Sequence, residues 1–163
     1  MKPHNSSAGP GVGHKICCPV DFSEQSRVAM LKAAALAVRL EGEVVLVHAF
    51  LAPVYTLADG VVTGSPELLQ QITDAVDKSL AMWAADARKA HRGARFSCAA
   101  LVGTPANAIV RHAKEAGCDL IVMGSHGRSG WKHLVLGSVA ERVMRHADCP
   151  VMVVPSPHKE AAS

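Results

Sequence analysis

Aromatic side chains are scarce: the 163 residues include two Trp, one Tyr and three Phe. Trp83 and Trp131 stand too far apart in sequence to suggest a platform on which nucleobases stack. Net charge is small as well, 17 Lys and Arg against 14 Asp and Glu giving +3. That footprint is too weak to argue for nucleic acid. No apolar run reaches the length that spans a bilayer. Residues 1–14 hold Pro3, Asn5, Ser6, Ser7 and three glycines but nothing resembling the apolar core of a secretory signal, and read as a flexible tail. A soluble cytoplasmic protein, without membrane or nucleic-acid partners, is the expectation.

Other absences remove other chemistries. Residues 21–26, the turn after the first expected strand, contain no glycine, so the dinucleotide fingerprint is missing, and no stretch fits the P-loop pattern. Dehydrogenase and ordinary NTPase readings weaken together. The nine histidines never form a close pair on one helix face, and His48 on a strand reads as a satisfied core residue rather than a ligand. Five cysteines are an odd number without metal-ligand spacing; Cys17 and Cys18 are adjacent, not spaced as a redox pair. Most lie within or beside apolar runs, and they read as buried, reduced thiols.

What the chain does have is apolar material for one core, 49% hydrophobic residues against 19% charged, in a length typical of a single domain. The expected organisation is a tail over 1–14, a domain over 15–155 and a second tail over 156–163. From Lys15 the hydrophobic period switches repeatedly between short apolar runs and longer amphipathic segments, the rhythm of βαβ units. Strands are expected at Ile16 to Val20, Glu43 to Phe50, Arg95 to Val102, Leu120 to Met123 and Pro150 to Val154. Helices are expected between them. The first, Ser23 to Leu40, carries Val28, Leu31, Ala34, Ala35 and Val38 on one face. Leu51 to Gly64, with Pro53, Asp59 and Gly60, reads as a long surface connection. Ser65 and Pro66 then open a helix carrying Leu69, Ile72, Val76, Leu80, Trp83 and Ala87. Five strands alternating with four helices predict a five-stranded parallel sheet with helices on both faces, whose ligands lie beyond the carboxyl ends of the strands. There is no tandem repeat.

The segment Val122 to Ser138 leaves a strand, makes a glycine-bearing loop and enters a helix. Gly124, Gly127 and Gly137 let backbone N–H groups approach phosphate oxygens, and the helix start offers unpaired donors and the positive end of its dipole. Arg128 and Lys132 would add charge. Ser138-Val139-Ala140-Glu141 has the form of a capping box, with Ser138 as the cap. A glycine loop before a capped helix is also an ordinary turn of α/β proteins, and on these residues alone both readings stand.

The spacing of Gly124, two residues, Gly127, nine residues, then Gly137-Ser138 resembles the glycine pattern of the ATP-binding branch of the universal stress protein family. Pro19-Val20-Asp21-Phe22-Ser23-Glu24 resembles the family's first strand and turn, and Val45-Leu46-Val47-His48 its second strand. Gly103-Thr104-Pro105, Asp119 to Gly124, Gly137 to Val143 and Cys149-Pro150-Val151 follow in family order. The resemblance implies a Rossmann-like fold of the adenine nucleotide alpha hydrolase-like kind, with ATP, AMP or another adenosine ligand bound. It places Pro19, Val20 and Asp21 at the adenosine moiety and Ala49 beside adenine. Met123, Gly124, Ser125, His126, Gly127, Arg128, Gly137, Ser138 and Val139 would line the phosphate side. It further implies Mg²⁺ or Mn²⁺ carried on the phosphates, a homodimer through the last strand, and a nucleotide-responsive stress regulator read by an unidentified partner. Binding rather than catalysis is the expected activity. A slow ATP hydrolase and a nucleotide-free interaction module remain the alternatives.

Overall fold

The computed structural model describes residues 13–57, 60–126 and 136–155. The two expected tails lie largely outside them, and Gly127 and Arg128 lie outside them altogether. The elements in chain order are β1 (Lys15–Pro19), α1 (Glu24–Arg39), β2 (Glu43–Phe50), β3 (Val54–Leu57) and β4 (Gly60–Thr63). They continue as α2 (Pro66–Ala90), β5 (Arg95–Val102), α3 (Pro105–Glu115), β6 (Leu120–Gly124), α4 (Ser138–His146) and β7 (Val151–Val154).

Five strands form one parallel sheet in the order β5-β2-β1-β6-β7. The chain winds outward from β1 through β2 to β5, then crosses back over the sheet and resumes on the other side of β1 with β6 and β7. Between β1 and β6 the connections therefore leave in opposite directions, opening a crevice at the carboxyl edge.

Both faces are covered, which is why the strand sequences are apolar at consecutive positions instead of alternating. Ile16, Cys18, Val44, Leu46 and Val122 point to one side, where Met30 and Ala33 of α1 and Leu80 and Ala84 of α2 meet them. Cys17, Val45, Val47, Ile121 and Met123 point to the other, against Ile109 and Ala113 of α3 and Ala140 and Val143 of α4. Burial of a side chain such as Leu46, which has no exposed surface, is the main source of stability; truncating it to Ala costs about 2–5 kcal/mol.

The structure departs from expectation in four places. The buried stripe of α1 is Ala29, Met30, Ala33, Ala34 and Ala37, not the stripe of larger side chains, and Val38 is 42% exposed. Small residues let this helix lie close on the sheet, while Val28 and Leu31 pack at its flanks. The segment after β2 is not featureless: Val54 to Leu57 and Gly60 to Thr63 pair as an antiparallel ribbon outside the main sheet. Its β-branched residues on either side of Asp59-Gly60 are the signal that marked it. Cys98 is exposed, on β5 at the edge of the sheet. Finally, α4 is capped by Gly137, not Ser138. Among the described residues no helix is long and apolar enough to cross a membrane.

Candidate functional site

A cavity of about 340 Å³ opens at the carboxyl edge of the sheet, over the crevice between β1 and β6. Pro19, Val20 and Asp21 reach it from the end of β1, and Ala49 from β2. Met123, Gly124, Ser125 and His126 reach it from the end of β6, and Gly137, Ser138 and Val139 from the start of α4. Eleven of the thirteen residues singled out in the sequence thus share one cavity; the other two, Gly127 and Arg128, are outside the described residues. Ser26, His48, Pro105, Ile109 and Ala140 line it too. His48 adjoins Ala49, and its strand position beside the site was the available signal. Pro105 and Ile109 arrive through the packing of α3, which nothing local announces.

On the β1 side the turn is closed by its own side chains. The Ser23 hydroxyl donates to Asp21 Oδ1, and the Ser23 N–H donates to the same oxygen at 3.0 Å. The Ser26 N–H donates to Ser23 Oγ at 3.2 Å, capping α1, and the Asp21 N–H donates to Ser26 Oγ at 3.3 Å. This is an Asx-type turn run into an N-cap. Between them Phe22 takes φ 63°, the left-handed region that non-glycine residues rarely occupy. Its ring lies 4.8 Å from that of His48 and 5.3 Å, edge-on, from that of Trp83. Those contacts hold the turn in place. His48 Nδ1 lies 2.7 Å from the Val20 carbonyl; a carbonyl only accepts, so Nδ1 carries the proton and donates.

The β6 side is built differently. A Cβ placed on Gly124 would lie 2.8 Å from Gln25 Cγ, so α1 can approach only because that side chain is missing. The Ser125 N–H donates to the Val154 carbonyl at 2.9 Å, and the Gly137 N–H returns to the Ser125 carbonyl at 2.7 Å, which sets the start of α4 beside the end of β6. Gly137 has extended backbone and no side chain to cap with, whereas Ser138 is already helical, so the expected capping box does not form. Glu141 instead accepts from Arg145 at 2.8 Å. The first turn of α4 therefore faces the cavity without a side-chain cap, presenting N–H donors and the positive end of the helix dipole.

One further donor joins it. Gln25 Nε2 donates to Ser125 Oγ at 3.0 Å, and Ser125 Oγ lies 3.0 Å from His126 Nδ1. A hydroxyl that accepts from Gln25 is placed to donate to Nδ1, which leaves the proton of the neutral ring on Nε2. His126 Nε2 is buried and has no hydrogen-bond partner among the described residues, a site that an acceptor atom would satisfy. Asp21 is the one carboxylate among the described lining residues, and it is engaged in its turn. Among the described residues no three His, Cys, Asp or Glu side chains gather to hold a metal ion.

Comparison with known proteins gives a consistent relationship. The universal stress protein family profile matches residues 13–155. The universal stress protein MJ0531 of Methanocaldococcus jannaschii is 36% identical over 158 residues, covering 93% of this chain and 88% of its own. The universal stress protein MJ0577 of the same organism is 30% identical over 153 residues, 86% of this chain and 93% of that protein. Its solved structure superposes with a TM-score of 0.68 at 26% identity, covering 91% of this chain and 99% of the other. The structure of the universal stress protein from Archaeoglobus fulgidus in complex with dAMP matches at a TM-score of 0.61 and 23% identity, over 87% of this chain and 98% of its own, a likeness of fold. The chain belongs to the universal stress protein family and has its five-stranded, Rossmann-like α/β fold.

Proposed function

We propose that the protein binds ATP in the cavity between β1 and β6 and acts by that binding rather than by turnover. The observation that carries this reading is the uncapped N-terminus of α4 opening onto the cavity. Ser138 and Val139, with Gly124 and the buried His126 Nε2, would meet phosphate oxygens. Gly127 and Arg128, which belong to the same segment of sequence, would complete that side. The apolar wall of Val20, Ala49 and Met123 suits a base, and Asp21 a ribose hydroxyl. Relatives in fold have been solved with dAMP, cAMP and AMP, which supports an adenine nucleotide as the class of ligand. Mg²⁺ or Mn²⁺ would be held on the phosphates. Asp21, tied into the turn by Ser23, is a poor general base, which favours binding over hydrolysis.

The protein works, in this reading, as a cytoplasmic nucleotide-responsive regulator. Its dimer surface would be β7, the edge strand of the sheet, whose Met152 is 40% exposed. Antiparallel pairing with a second copy would satisfy its open backbone groups. Light scattering on the purified chain tests the pairing: a monomer at tens of micromolar, where weak association is already substantial, would contradict it. Calorimetric titration with ATP, AMP and inorganic triphosphate tests the nucleotide. Saturable binding of ATP, tighter than that of triphosphate, is expected. Failure of every adenine nucleotide to bind at millimolar concentration would overturn the reading.

A further inference from the structure

Three cysteines converge at the other end of the sheet, away from the nucleotide cavity. Cys17 on β1 is fully buried. Cys118 precedes β6 and Cys149 precedes β7; both are half-buried and pack on the same core face as Cys17. β6 and β7 begin side by side, with Ile121 in register with Val151 and its N–H donating to the Pro150 carbonyl at 3.0 Å. That register brings Cys118 and Cys149 together, and both line a cavity of about 250 Å³. Lys114 and Asp148, also in its wall, are paired at 2.9 Å.

The thiols are not equivalent. The Cys17 thiol, as hydrogen-bond donor, holds Cys118 below its ordinary range; burial opposes it, Lys15 assists, and Asp119 and Glu43 oppose. Interaction with Cys118 and then burial push Cys17 up, and burial raises Cys149. Burial lifts Cys18 to about 12 and also raises the exposed Cys98. One reachable sulfur is thus favoured as thiolate, with a second reachable thiol beside it. The small cavity in front of both admits a small reagent.

We propose that Cys118 is a site of reversible oxidation by hydroperoxides, with Cys149 as the resolving thiol. The Cys118 thiolate attacks the distal peroxide oxygen: the S–O bond forms, the O–O bond breaks, and the alkoxide or hydroxide leaves with the electron pair and takes up a proton. The sulfur is oxidised by two electrons to the sulfenic acid while the peroxide is reduced to alcohol or water. Cys149 then attacks that sulfur. The S–S bond forms, the S–O bond breaks, and the departing hydroxide combines with the Cys149 proton as water. The net change is two thiols and one hydroperoxide to one disulfide, one alcohol or water, and one further water. The disulfide ties the start of β6 to the start of β7.

Cys98 supplies the internal comparison, because exposure alone would make it react first. The test treats the full chain with limiting hydrogen peroxide, blocks remaining thiols with N-ethylmaleimide and maps a non-reducing digest by mass spectrometry. A Cys118–Cys149 linkage is expected, forming roughly tenfold or more faster than oxidation of Cys98. In Cys149→Ser, dimedone is expected to trap the sulfenic acid at Cys118; in Cys118→Ala, Cys149 is expected to stay reduced. Circular dichroism confirms that both variants are folded, and direct mapping of the wild-type protein stands even if one is not. Oxidation of Cys98 ahead of an intact Cys118, or linkage of Cys118 to Cys17 in place of Cys149, would overturn the proposal.

Discussion

Two helices begin at the crevice between β1 and β6, and their N-termini are finished in opposite ways. α1 is sealed: Ser23 accepts from Ser26 and grips Asp21, while Ser26 accepts from the Asp21 backbone. α4 is open: its cap is a glycine that offers no side chain, and the buried His126 Nε2 beside it lacks a partner among the described residues. Equal dipoles thus have unequal vacancies. An anion gains most at the helix whose donors are unclaimed, so the proposed ligand would set its phosphates at α4, while the sealed turn at α1 would offer a carboxylate to neutral hydroxyls. The positive φ of Phe22 fits the same division, since strain held by packing marks the turn as a fixed wall rather than a moving one.

The strongest way to break this contrast is to seal α4. Gly137→Asp supplies a capping carboxylate where the ligand's phosphate would sit; its Cβ must ease past the Ser125 carbonyl, 3.1 Å away. ATP affinity is expected to fall by about a hundredfold or more, some 2.7 kcal/mol, with the fold retained in circular dichroism. Calorimetric titration reads it. Unchanged affinity in the folded variant would place the phosphates elsewhere.

Removing the carboxylate at α1 should act on a different part of the ligand. Asp21→Ala is expected to weaken ATP by roughly tenfold, about 1.4 kcal/mol, while leaving inorganic triphosphate nearly unaffected. Competition binding distinguishes the two ligands. Equal losses for both would mean that Asp21 only stabilises its turn.

The smallest expected effect on binding comes from unsealing α1 itself. Ser23→Ala removes the cap of α1 and one of the bonds to Asp21, and is expected to lower stability by about 1 kcal/mol in urea unfolding. Its loss of ATP affinity should stay below that of Asp21→Ala. Should Ser23→Ala bind phosphate more tightly than wild type, the vacancy argument would gain a second site and the division between the helices would fail.

How much of this was legible in the chain depends on how local the cause is. The limits of β2 and β5 and the apolar stripe of α2 follow from short-range pattern, with Ser65 capping and Pro66 opening α2 as the sequence implies. The gathering of Pro19 to Asp21, Ala49, Met123 to His126 and Gly137 to Val139 at one cavity follows from strand ends, once the parallel order is known. The stripe of α1 is not legible in the sequence because two apolar stripes compete and close packing selects the smaller residues, which only the facing sheet decides. The cap of α4 is hidden for a related reason. Ser138 satisfies the sequence rule, but the bond from the Gly137 N–H to Ser125 fixes the chain one residue earlier, and that partner lies twelve positions away. The neighbourhood of Cys17, Cys118 and Cys149 is likewise invisible until β1, β6 and β7 lie side by side.

The open end of α4 can be observed atom by atom. In an amide NMR titration with ATP, the N–H resonances of Ser138, Val139 and Ala140 are expected to move furthest among the described residues, downfield as they gain phosphate acceptors. The N–H of Ser26, already bonded to Ser23, is expected to move little. Saturable binding with the first turn of α4 unmoved, or with the start of α1 moving in its place, would contradict the account.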